Sequence, residues 1–564
     1  MKNFLTLLLL TILVIGCAKE DSESEKEETS SAPSTNYMIY PSSVKLAKNG
    51  TLNLLVYIEE SGTEAKVNPS TDNISWSSSD TSVLDVDKYG SIKGKGDGTV
   101  TVTMNATISG TNYSDSIEVS VKDYNIREIN LNPYLIMMAK EESRLVDLYA
   151  TDSQGNPTNL TPSDITYSVS DESVFTVSKQ TNGQPKIESG SQKGHAFLTV
   201  SYLGFSGQPV KVYVADSVEV EPNSSDDHGK YSSLFVAPDN KIHVSYYNNS
   251  KGTLKYAVWD ETVWNAETVE MSHTNSGQNS RIIVANTIPY IAYQSSNQIK
   301  IKGKSSGVWS AAPTLESSGT SGPRMAFGLF NNKPIIFYPH NSGSNTELKV
   351  ALYDNNTWNK YTVSSSYYSN TGIDMKFSGN KVGVVFIDSN SKVNFLESNF
   401  TSSPSTWSAY SGLSTLIDNS SNQTGSTVLN YSLDGKPHVT YLVSGGGAQF
   451  AKETSTAFGS SWGQAVLDGD TQFSSPYLGA MIDWAGRDRI TYHDAANFSL
   501  KLVKYNSIKQ SFDQPFTADS GGKNNHRVGE YASIGVNLYG QTIISYYNAT
   551  TKKLQYYIEP YNPN

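Results

Sequence analysis

A hydrophobic alternation of period two recurs along the C-terminal half of the chain. In KIHVSYYNNSKGTLKYAVWD, residues 241–260, apolar positions alternate with polar ones on both sides of a short polar turn. This pattern predicts two strands joined as a hairpin. GKPHVTYLVSGGGAQFAKET (435–454) and GQTIISYYNATTKKLQYYIEP (540–560) repeat it. No long helical periodicity follows the N-terminus, so the pattern predicts an all-β protein.

The hairpin occurs seven times between residues 216 and 564. Each copy carries an aromatic residue in its first strand, 45 to 55 residues after the preceding one: Tyr246, Tyr293, Tyr338, Phe386, Tyr441, Tyr492 and Tyr546. An apolar segment precedes each hairpin, and a further strand follows most of them. Four strands in about 50 residues are typical of propeller blades, and they predict a seven-bladed β-propeller over 216–564. The last unit lacks an outer strand, so residues 218–221 are predicted to supply it and close the ring.

Short alternating strands separated by turn signals also fill residues 37–215. ISWSSSDTSVLDVDKYGSIKGKGDGTVTVTM (74–104) places Trp76 as a candidate core residue between such turns. Residues 37–123 resemble the group 2 bacterial immunoglobulin-like (Big2) family. Residues 124–215 are similar but divergent, with Tyr167 in the place of Trp76. The resemblance implies two immunoglobulin-like β-sandwiches ahead of the propeller, which in that family commonly serve as stalks of surface proteins.

The N-terminus has the pattern of an export signal. MKNFLTLLLLTILVIGC begins with a basic residue and continues as an apolar run that ends in small residues. VIGC resembles the lipobox of bacterial lipoproteins, which implies a signal peptide over 1–16 and diacylation of Cys17. Residues 17–36 are acidic and Ser-rich, and they predict a disordered tether. Ala18 is not the aspartate that retains a lipoprotein at the inner membrane in the enterobacterial sorting rule, and a Lys followed by acidic residues looks like the surface-export signal of some Gram-negative lipoproteins. Both features indicate an outer-membrane lipoprotein, with surface exposure as a further expectation.

Composition and motifs limit the kinds of partner, cofactor and metal that the chain is expected to bind. The formal net charge is −11 and only 17% of residues are charged, which argues against nucleic acid as a partner. No P-loop, dinucleotide fingerprint, nucleophile elbow or HExxH occurs, and the histidines lack metal-ligand spacing, so neither cofactor nor metal is expected. His243 and His438 share one repeat position, which indicates a structural slot. The expected partners are an extracellular glycan or protein and, through the lipid anchor, the membrane; the chain itself is expected to be monomeric.

Polar and aromatic residues gather near the glycines that open the inner strands. In propellers the loops entering the inner strands lie on the face that usually binds ligands. These residues could therefore line one funnel: His228, Tyr231, Arg324, Asp374, Tyr477, His526, Arg527, Glu530 and Tyr531. A rim rich in Tyr, Asn and Ser favours recognition of a glycan or protein, as in adhesion.

The alternative hypothesis is a sialidase-like glycosidase in the same funnel. Arg324, Arg527, Glu530, Tyr531 and Asp374 supply the residue types that such an enzyme uses. The Asp-box motif of that family, Ser-x-Asp-x-Gly-x-x-Trp, is absent, and seven units exceed its six. Catalytic residues stay unassigned, and the repeated aromatics such as Tyr246 are expected mainly to fill space between blades.

Overall fold

The computed structural model is built almost entirely from β-strands. It describes residues 35–60, 63–64, 73–108, 110–123, 125–132, 135–215, 217–260, 263–271, 275–296, 298–311, 315–316, 324–342, 345–364, 372–387, 393–399, 415–418, 423–443, 447–453, 462–468, 477–506, 510–521 and 526–559. Cys17, the signal peptide and nearly all of the tether lie outside the described residues. None of the described segments contains a helix long and apolar enough to cross a membrane.

The first unit has three small sheets around one core. Its strands are β1 (Thr35–Tyr40), β2 (Ser43–Ala47), β3 (Thr51–Asn53), β4 (Leu55–Glu60), β5 (Thr63–Glu64), β6 (Asn73–Ser78), β7 (Leu84–Val86), β8 (Ser91–Gly94), β9 (Gly98–Ile108) and β10 (Thr111–Lys122). The sheet orders are β1-β4-β5, β2-β10-β9-β6 and β3-β8-β7. Val100, Val102 and Met104 point inward along β9 and alternate with outward polar residues. Trp76 is half-buried against this core.

The second unit repeats this strand order. Its elements are β11 (Ile126–Asn132), β12 (Leu135–Ala139), β13 (Ser143–Leu145), β14 (Asp147–Asp152), a 3₁₀ turn (Pro162–Asp164), β15 (Ile165–Val169), β16 (Phe175–Lys179), β17 (Pro185–Ser189), β18 (Gly194–Tyr202), β19 (Phe205–Ser206) and β20 (Val210–Ala215). Its main sheet, β12-β20-β18-β15, begins with a parallel pair, as does β2-β10-β9-β6 in the first unit. Tyr167, which replaces the tryptophan, donates its hydroxyl to the Gly183 carbonyl at 2.7 Å.

The described residues after 216 form seven antiparallel sheets in succession. Their strands are β21 (His228–Val236), β22 (Ile242–Asn248), β23 (Thr253–Trp259), β24 (Trp264–Glu270); β25 (Ser276–Ala285), β26 (Ile288–Ser295), β27 (Gln298–Ser305), β28 (Val308–Ala311); β29 (Ala326–Phe330), β30 (Lys333–Ser342), β31 (Asn345–Asp354), β32 (Thr357–Ser364); β33 (Ile373–Ser378), β34 (Lys381–Ile387), β35 (Val393–Asn399), β36 (Thr415–Asp418); β37 (Gln423–Tyr431), β38 (Pro437–Val443), β39 (Gly447–Glu453), β40 (Trp462–Asp468); β41 (Leu478–Ile482), β42 (Asp488–Asp494), β43 (Ser499–Asn506), β44 (Ser511–Phe512), β45 (Phe516–Asp519); and β46 (Val528–Val536), β47 (Thr542–Asn548), β48 (Lys553–Ile558).

The sheets are arranged as a β-propeller. The first strand of each sheet contacts the first strand of the next, and β46 of the last sheet contacts β21 of the first. Residues from all of these inner strands line one central cavity of about 350 Å³. The last sheet is completed by an upstream segment: Glu219 bridges to Gln555, and the Val220 amide donates to the Leu554 carbonyl at 3.0 Å. The predicted closure by residues 218–221 is thereby confirmed.

Adjacent sheets are joined by a buried tyrosine–carboxylate hydrogen bond. Tyr246 in the first sheet donates its hydroxyl to Glu221, in the segment that completes the last sheet, at 2.7 Å. The same tie recurs as Tyr293–Glu270 (3.0 Å), Tyr338–Glu316 (2.7 Å), Tyr492–Asp468 (2.6 Å) and Tyr546–Asp519 (2.6 Å). These tyrosines are almost fully buried, which confirms that they fill space between sheets. Their hydroxyls also need an acceptor there, because a buried polar group without a partner is costly.

At the contact between the third and fourth sheets, the tyrosine and the carboxylate of this hydrogen bond are both replaced. Phe386 replaces the tyrosine of the fourth sheet, and Ser364 occupies the strand position that Glu270 holds in the first sheet. The outer strands carry a β-bulge at this position in both sheets. A bulge re-aims the side chain that follows it.

The two N-terminal units pack against the propeller. The buried guanidinium of Arg144 donates to the Ala518 carbonyl at 3.0 Å and lies 3.7 Å from Asp519 in the sixth sheet. The Arg487 guanidinium lies 4.6 Å from the ring centre of Tyr89 in the first unit. Both units therefore lie against the propeller at these contacts.

Candidate functional site

Three inner strands begin with the same irregular motif. HGKYSS (228–233), SGQNSR (276–281) and VGEYAS (528–533) each contain two register shifts against the neighbouring strand. The fourth residue of each motif has a left-handed backbone, with φ of 56° at Tyr231, 52° at Asn279 and 54° at Tyr531. Such angles are strained for tyrosine, and strain of this kind is often kept where a side chain has a function.

The glycine of the motif is required by a close backbone approach. Gly277 has φ of 121°, and a Cβ there would lie 2.8 Å from the Leu254 Cα of the preceding sheet. Gly229 approaches Leu554 in the same way. A side chain would force the sheets apart, so the glycines position the strands rather than bind a ligand.

Serine hydroxyls then fix the backbone of the two left-handed tyrosines. Ser232 donates to the Tyr531 carbonyl at 2.6 Å, and Ser280 donates to the Tyr231 carbonyl at 2.9 Å. Each hydrogen bond crosses from one inner strand to the next. The last, first and second sheets therefore hold Tyr531 and Tyr231 in a fixed relation.

Five tyrosines form one aromatic cluster at the start of the inner strands, here called the tyrosine cluster: Tyr231, Tyr247, Tyr477, Tyr531 and Tyr547. The ring centres of Tyr477 and Tyr531 are 4.2 Å apart, and those of Tyr231 and Tyr531 are 4.8 Å apart. Tyr247 and Tyr547 flank them at 6.0 Å and 6.1 Å. Burial raises the pKa of Tyr477 to about 12, and it raises the pKa of Tyr531 further. Both hydroxyls are therefore neutral at physiological pH.

Two arginines lie beside the tyrosine cluster in the central cavity. Arg324 and Arg281 both line it and are half-buried. Burial lowers the pKa of Arg324, and the neighbouring Tyr477, Tyr231 and Tyr531 oppose this shift. Burial also lowers the pKa of Arg281 to about 10, and the charge of Arg324 adds to the effect. Both guanidinium groups stay charged at neutral pH.

Asp374 lies in the same cavity but has a structural hydrogen bond. Its Oδ2 accepts the Leu429 amide of the next inner strand at 3.0 Å. Ser533 and Ser233 accept the equivalent amides of Leu234 and Ile282 at 2.9 Å and 3.2 Å. Burial raises the pKa of Asp374. The carboxylate therefore joins two inner strands, as the serines do elsewhere in the ring.

The structure brings five of the predicted funnel residues together: Tyr231, Arg324, Asp374, Tyr477 and Tyr531. Glu530 lies at the edge of this group, next to Tyr531, with an oxygen 3.7 Å from the Arg527 guanidinium. Burial raises the pKa of Glu530, and Arg527 and Lys230 oppose the shift.

The other three predicted funnel residues lie elsewhere. His228 is completely buried against the Tyr246 ring, 5.8 Å away, and burial lowers its pKa to about 4. His526 lines a separate cavity of about 330 Å³ at the contact with the second unit. Arg527 is exposed and its guanidinium lies 4.6 Å from the ring centre of Phe498. The two register shifts in this strand separate His228, which is buried at the sheet interface, from Tyr231, which belongs to the tyrosine cluster.

Sequence analysis missed Arg281. The signal was present, because aligning SGQNSR with HGKYSS places Arg281 opposite Ser233, an inner-strand residue of the same cavity. The repeated histidines were interpreted correctly as structural: His243 hydrogen-bonds Tyr256 at 2.7 Å, and His438 lies 2.9 Å from Asp488 of the next sheet. Within the described segments no group of three or more His, Cys, Asp or Glu side chains could hold a metal ion.

Comparisons with known proteins place the chain in no family. No family model matches it, and no curated protein matches it. Among solved structures it is similar to an Aleuria aurantia lectin described as a six-bladed β-propeller with a novel fucose recognition mode, at 9% identity, over 52% of this chain and 96% of that one, with a TM-score of 0.36. A polysaccharide lyase family 25 ulvan lyase matches at 12% identity over 62% and 96%, with a TM-score of 0.40. The intramolecular trans-sialidase of Ruminococcus gnavus matches at 9% over 61% and 96%, with a TM-score of 0.35. Similarity at this level carries no information about function.

Proposed function

We propose that this chain is a lipid-anchored cell-envelope protein whose seven-bladed propeller binds an extracellular glycan. The observation that carries the proposal is the convergence of Tyr231, Tyr477 and Tyr531 with Arg324 at one end of the central cavity. Two of these tyrosines keep a strained backbone to reach that position. A purely space-filling role is already performed by the buried tyrosines between sheets and needs no strain.

The chemistry of the tyrosine cluster suits a sugar. An aromatic ring offers an apolar face to the C–H groups of a sugar at little cost in conformational entropy. Neutral hydroxyls can both donate to and accept from sugar hydroxyls, and the raised pKa values keep Tyr477 and Tyr531 neutral. Glycan binding is consistent with an adhesive role. In this proposal Big2-like units support the propeller, and the chain is monomeric.

The geometry gives less support to a sialidase-like glycosidase. Arg527 lies over Phe498 and does not join Arg324, and Asp374 is engaged by the Leu429 amide. A nucleophilic tyrosine needs a lowered pKa or an adjacent base, whereas burial raises the pKa of Tyr531. Binding without turnover is therefore the function that we put forward.

A glycan array with wild-type protein and two matched variants tests this proposal. Tyr231→Asn and Tyr531→Asn remove the rings but keep a residue that accepts the left-handed backbone, as Asn279 does at the equivalent position. We expect both variants to lose binding at least about fivefold, since one aromatic contact contributes about 1 kcal/mol. Tyr149→Asn, at an exposed residue of the second unit, is the control and should bind normally.

Mass spectrometry of the captured glycan separates the two hypotheses. Recovery of the glycan with unchanged mass supports binding. A cleaved product that disappears in Arg324→Ala or Glu530→Ala, while binding persists, would establish the enzyme instead. Loss of array binding in Tyr149→Asn to the same degree would show that the tyrosine cluster is not the site.

The membrane attachment is tested separately through Cys17. Cys17→Ser removes the thiol that the proposed lipidation requires, so the protein should move from the membrane fraction to the soluble fraction. Retention of Cys17→Ser in membranes would contradict the anchor without bearing on the glycan site.

A further inference from the structure

Buried arginines elsewhere in this protein are neutralised by carboxylates. Arg489 donates to Glu559 at 2.7 Å and to Asp483 at 2.9 Å. Arg144 lies between Glu142 and Asp519, at 3.6 Å and 3.7 Å. This arrangement is expected, because desolvation of a buried cation is costly unless a carboxylate partner compensates it.

Arg281 and Arg324 are half-buried and have no such carboxylate contact among the described residues. No salt bridge joins either guanidinium to an Asp or Glu of the described segments. Asp374 lies near enough to Arg281 to oppose the lowering of its pKa, and Arg281 donates to the Ser280 carbonyl at 3.0 Å. The central cavity contains a third cation, Lys376, and a single carboxylate, Asp374, in its described lining. Asp374 already accepts an amide from the next strand.

The described lining of the central cavity therefore carries three cations and one carboxylate. The protein as a whole has a net charge of −11. A local excess of positive charge in an acidic protein therefore marks this cavity as different from the rest of the surface.

From this contrast we infer that Arg281 and Arg324 form an anion subsite beneath the tyrosine cluster, which takes the carboxylate or sulfate of an acidic glycan. The inference rests on the proposed function and specifies its ligand. A guanidinium presents a planar fork of donors that matches the oxygens of a carboxylate or a sulfate ester, so both groups suit the same subsite. Neighbouring sugar rings would then contact Tyr231, Tyr477 and Tyr531.

Binding of defined probe pairs by isothermal titration calorimetry tests the subsite. One pair is trigalacturonate and its methyl ester, and the other is a sulfated galactose tetrasaccharide and its desulfated counterpart. We expect at least one charged probe to bind about tenfold or more tightly than its neutral partner, the usual effect of a charge-assisted hydrogen bond. The pair that shows the difference identifies carboxylate or sulfate as the natural group.

Arg281→Gln and Arg324→Gln should abolish the preference for the charged probe. Lys241→Ala removes one exposed cation whose partner is Asp239 and should leave the preference unchanged. Thermal unfolding supplies a second measurement, because neutralising an unpaired cation should leave the melting temperature equal or higher, whereas a structural arginine would lower it.

The outcomes separate this inference from the proposed function. If neutral and charged probes bind equally and Tyr231→Asn still abolishes binding, the anion subsite is refuted and the glycan site stands. If neither kind of probe binds here or on the array, both proposals fail. A fall in melting temperature for both Arg→Gln variants, with the charge preference intact, would assign the arginines to structure.

Discussion

One of the buried hydrogen bonds that close the ring, from Tyr246 to Glu221, can be removed without creating a cavity. Tyr246→Phe deletes the hydroxyl that donates to Glu221 at 2.7 Å, and the ring itself stays in place. A hydrogen bond to a charged group contributes about 1.5–3 kcal/mol. Lys255 still pairs with Glu221 after the change. We therefore expect the free energy of unfolding to fall by about 2 kcal/mol rather than by the full penalty of an unpaired buried charge.

The pH dependence of this loss identifies its cause. Burial acts to raise the pKa of Glu221, but hydrogen bonds from Lys255 and Tyr246 outweigh it and hold the pKa below the usual 4.5. A carboxylate with a lowered pKa in the folded state contributes stability above its unfolded pKa, and loses it as the pH falls through the folded value. Urea unfolding followed by tryptophan fluorescence should show the full difference between Tyr246→Phe and wild type at pH 7, and a shrinking difference below about pH 4.5.

The natural exception provides the matched control. Phe386→Tyr adds a hydroxyl at the interface where Ser364 stands in the position of the acid. It should not stabilise the protein, because a serine stands at the strand position from which the other sheets present the accepting carboxylate. The explanation would be refuted if Phe386→Tyr stabilised the protein as much as Tyr246→Phe destabilises it, or if the loss in Tyr246→Phe were the same at pH 7 and pH 4.

Three further changes test other parts of the structure. Arg144→Ala removes the cation that pairs with Glu142 and Asp519. It should destabilise the contact between the second unit and the propeller by about 3 kcal/mol, seen in calorimetry as separation of two unfolding transitions. Gly277→Ala should cost about 2 kcal/mol because φ is 121° and backbone atoms block the Cβ, whereas Gly307→Ala, in open space with φ of 80°, should cost less in the same thermal-unfolding assay. Burial lowers the pKa of His493 to about 4 in the folded state, so on acidification the unfolded chain binds the proton first. The free energy of unfolding should therefore fall as the pH drops from about 6.5 to about 4. His493→Gln should make this dependence on pH weaker.

The docking of the N-terminal units changes how the propeller would be displayed. Arg144 reaches the carboxylate that also accepts the Tyr546 hydroxyl, so one acid serves both the tie between sheets and the contact between units. The propeller and the second unit should therefore respond together to changes at this carboxylate. Sequence patterns gave no indication of this contact, because neither residue belongs to a repeat shared by both units.

The repeat, its strands and its closing segment could all be predicted from the sequence. Alternation of period two specifies which face of a strand is buried, and this property is local to a few residues. The aromatic position of Tyr246 and its equivalents could be predicted in the same way, because it recurs once in each repeat unit. Even the closure followed from local information, since residues 218–221 resemble an outer strand that the last unit lacks.

Only the tertiary structure decided which side chains share the central cavity and which arginines are paired with a carboxylate. Tyr231 and Tyr531 stand 300 positions apart in the chain and meet because the ring closes. Two register shifts place His228 in the interior and Tyr231 in the tyrosine cluster, and alternation cannot foresee such shifts. Whether an arginine such as Arg281 has a carboxylate partner depends on distances between separate strands, and those distances are set by packing around the whole ring rather than by any short stretch of sequence.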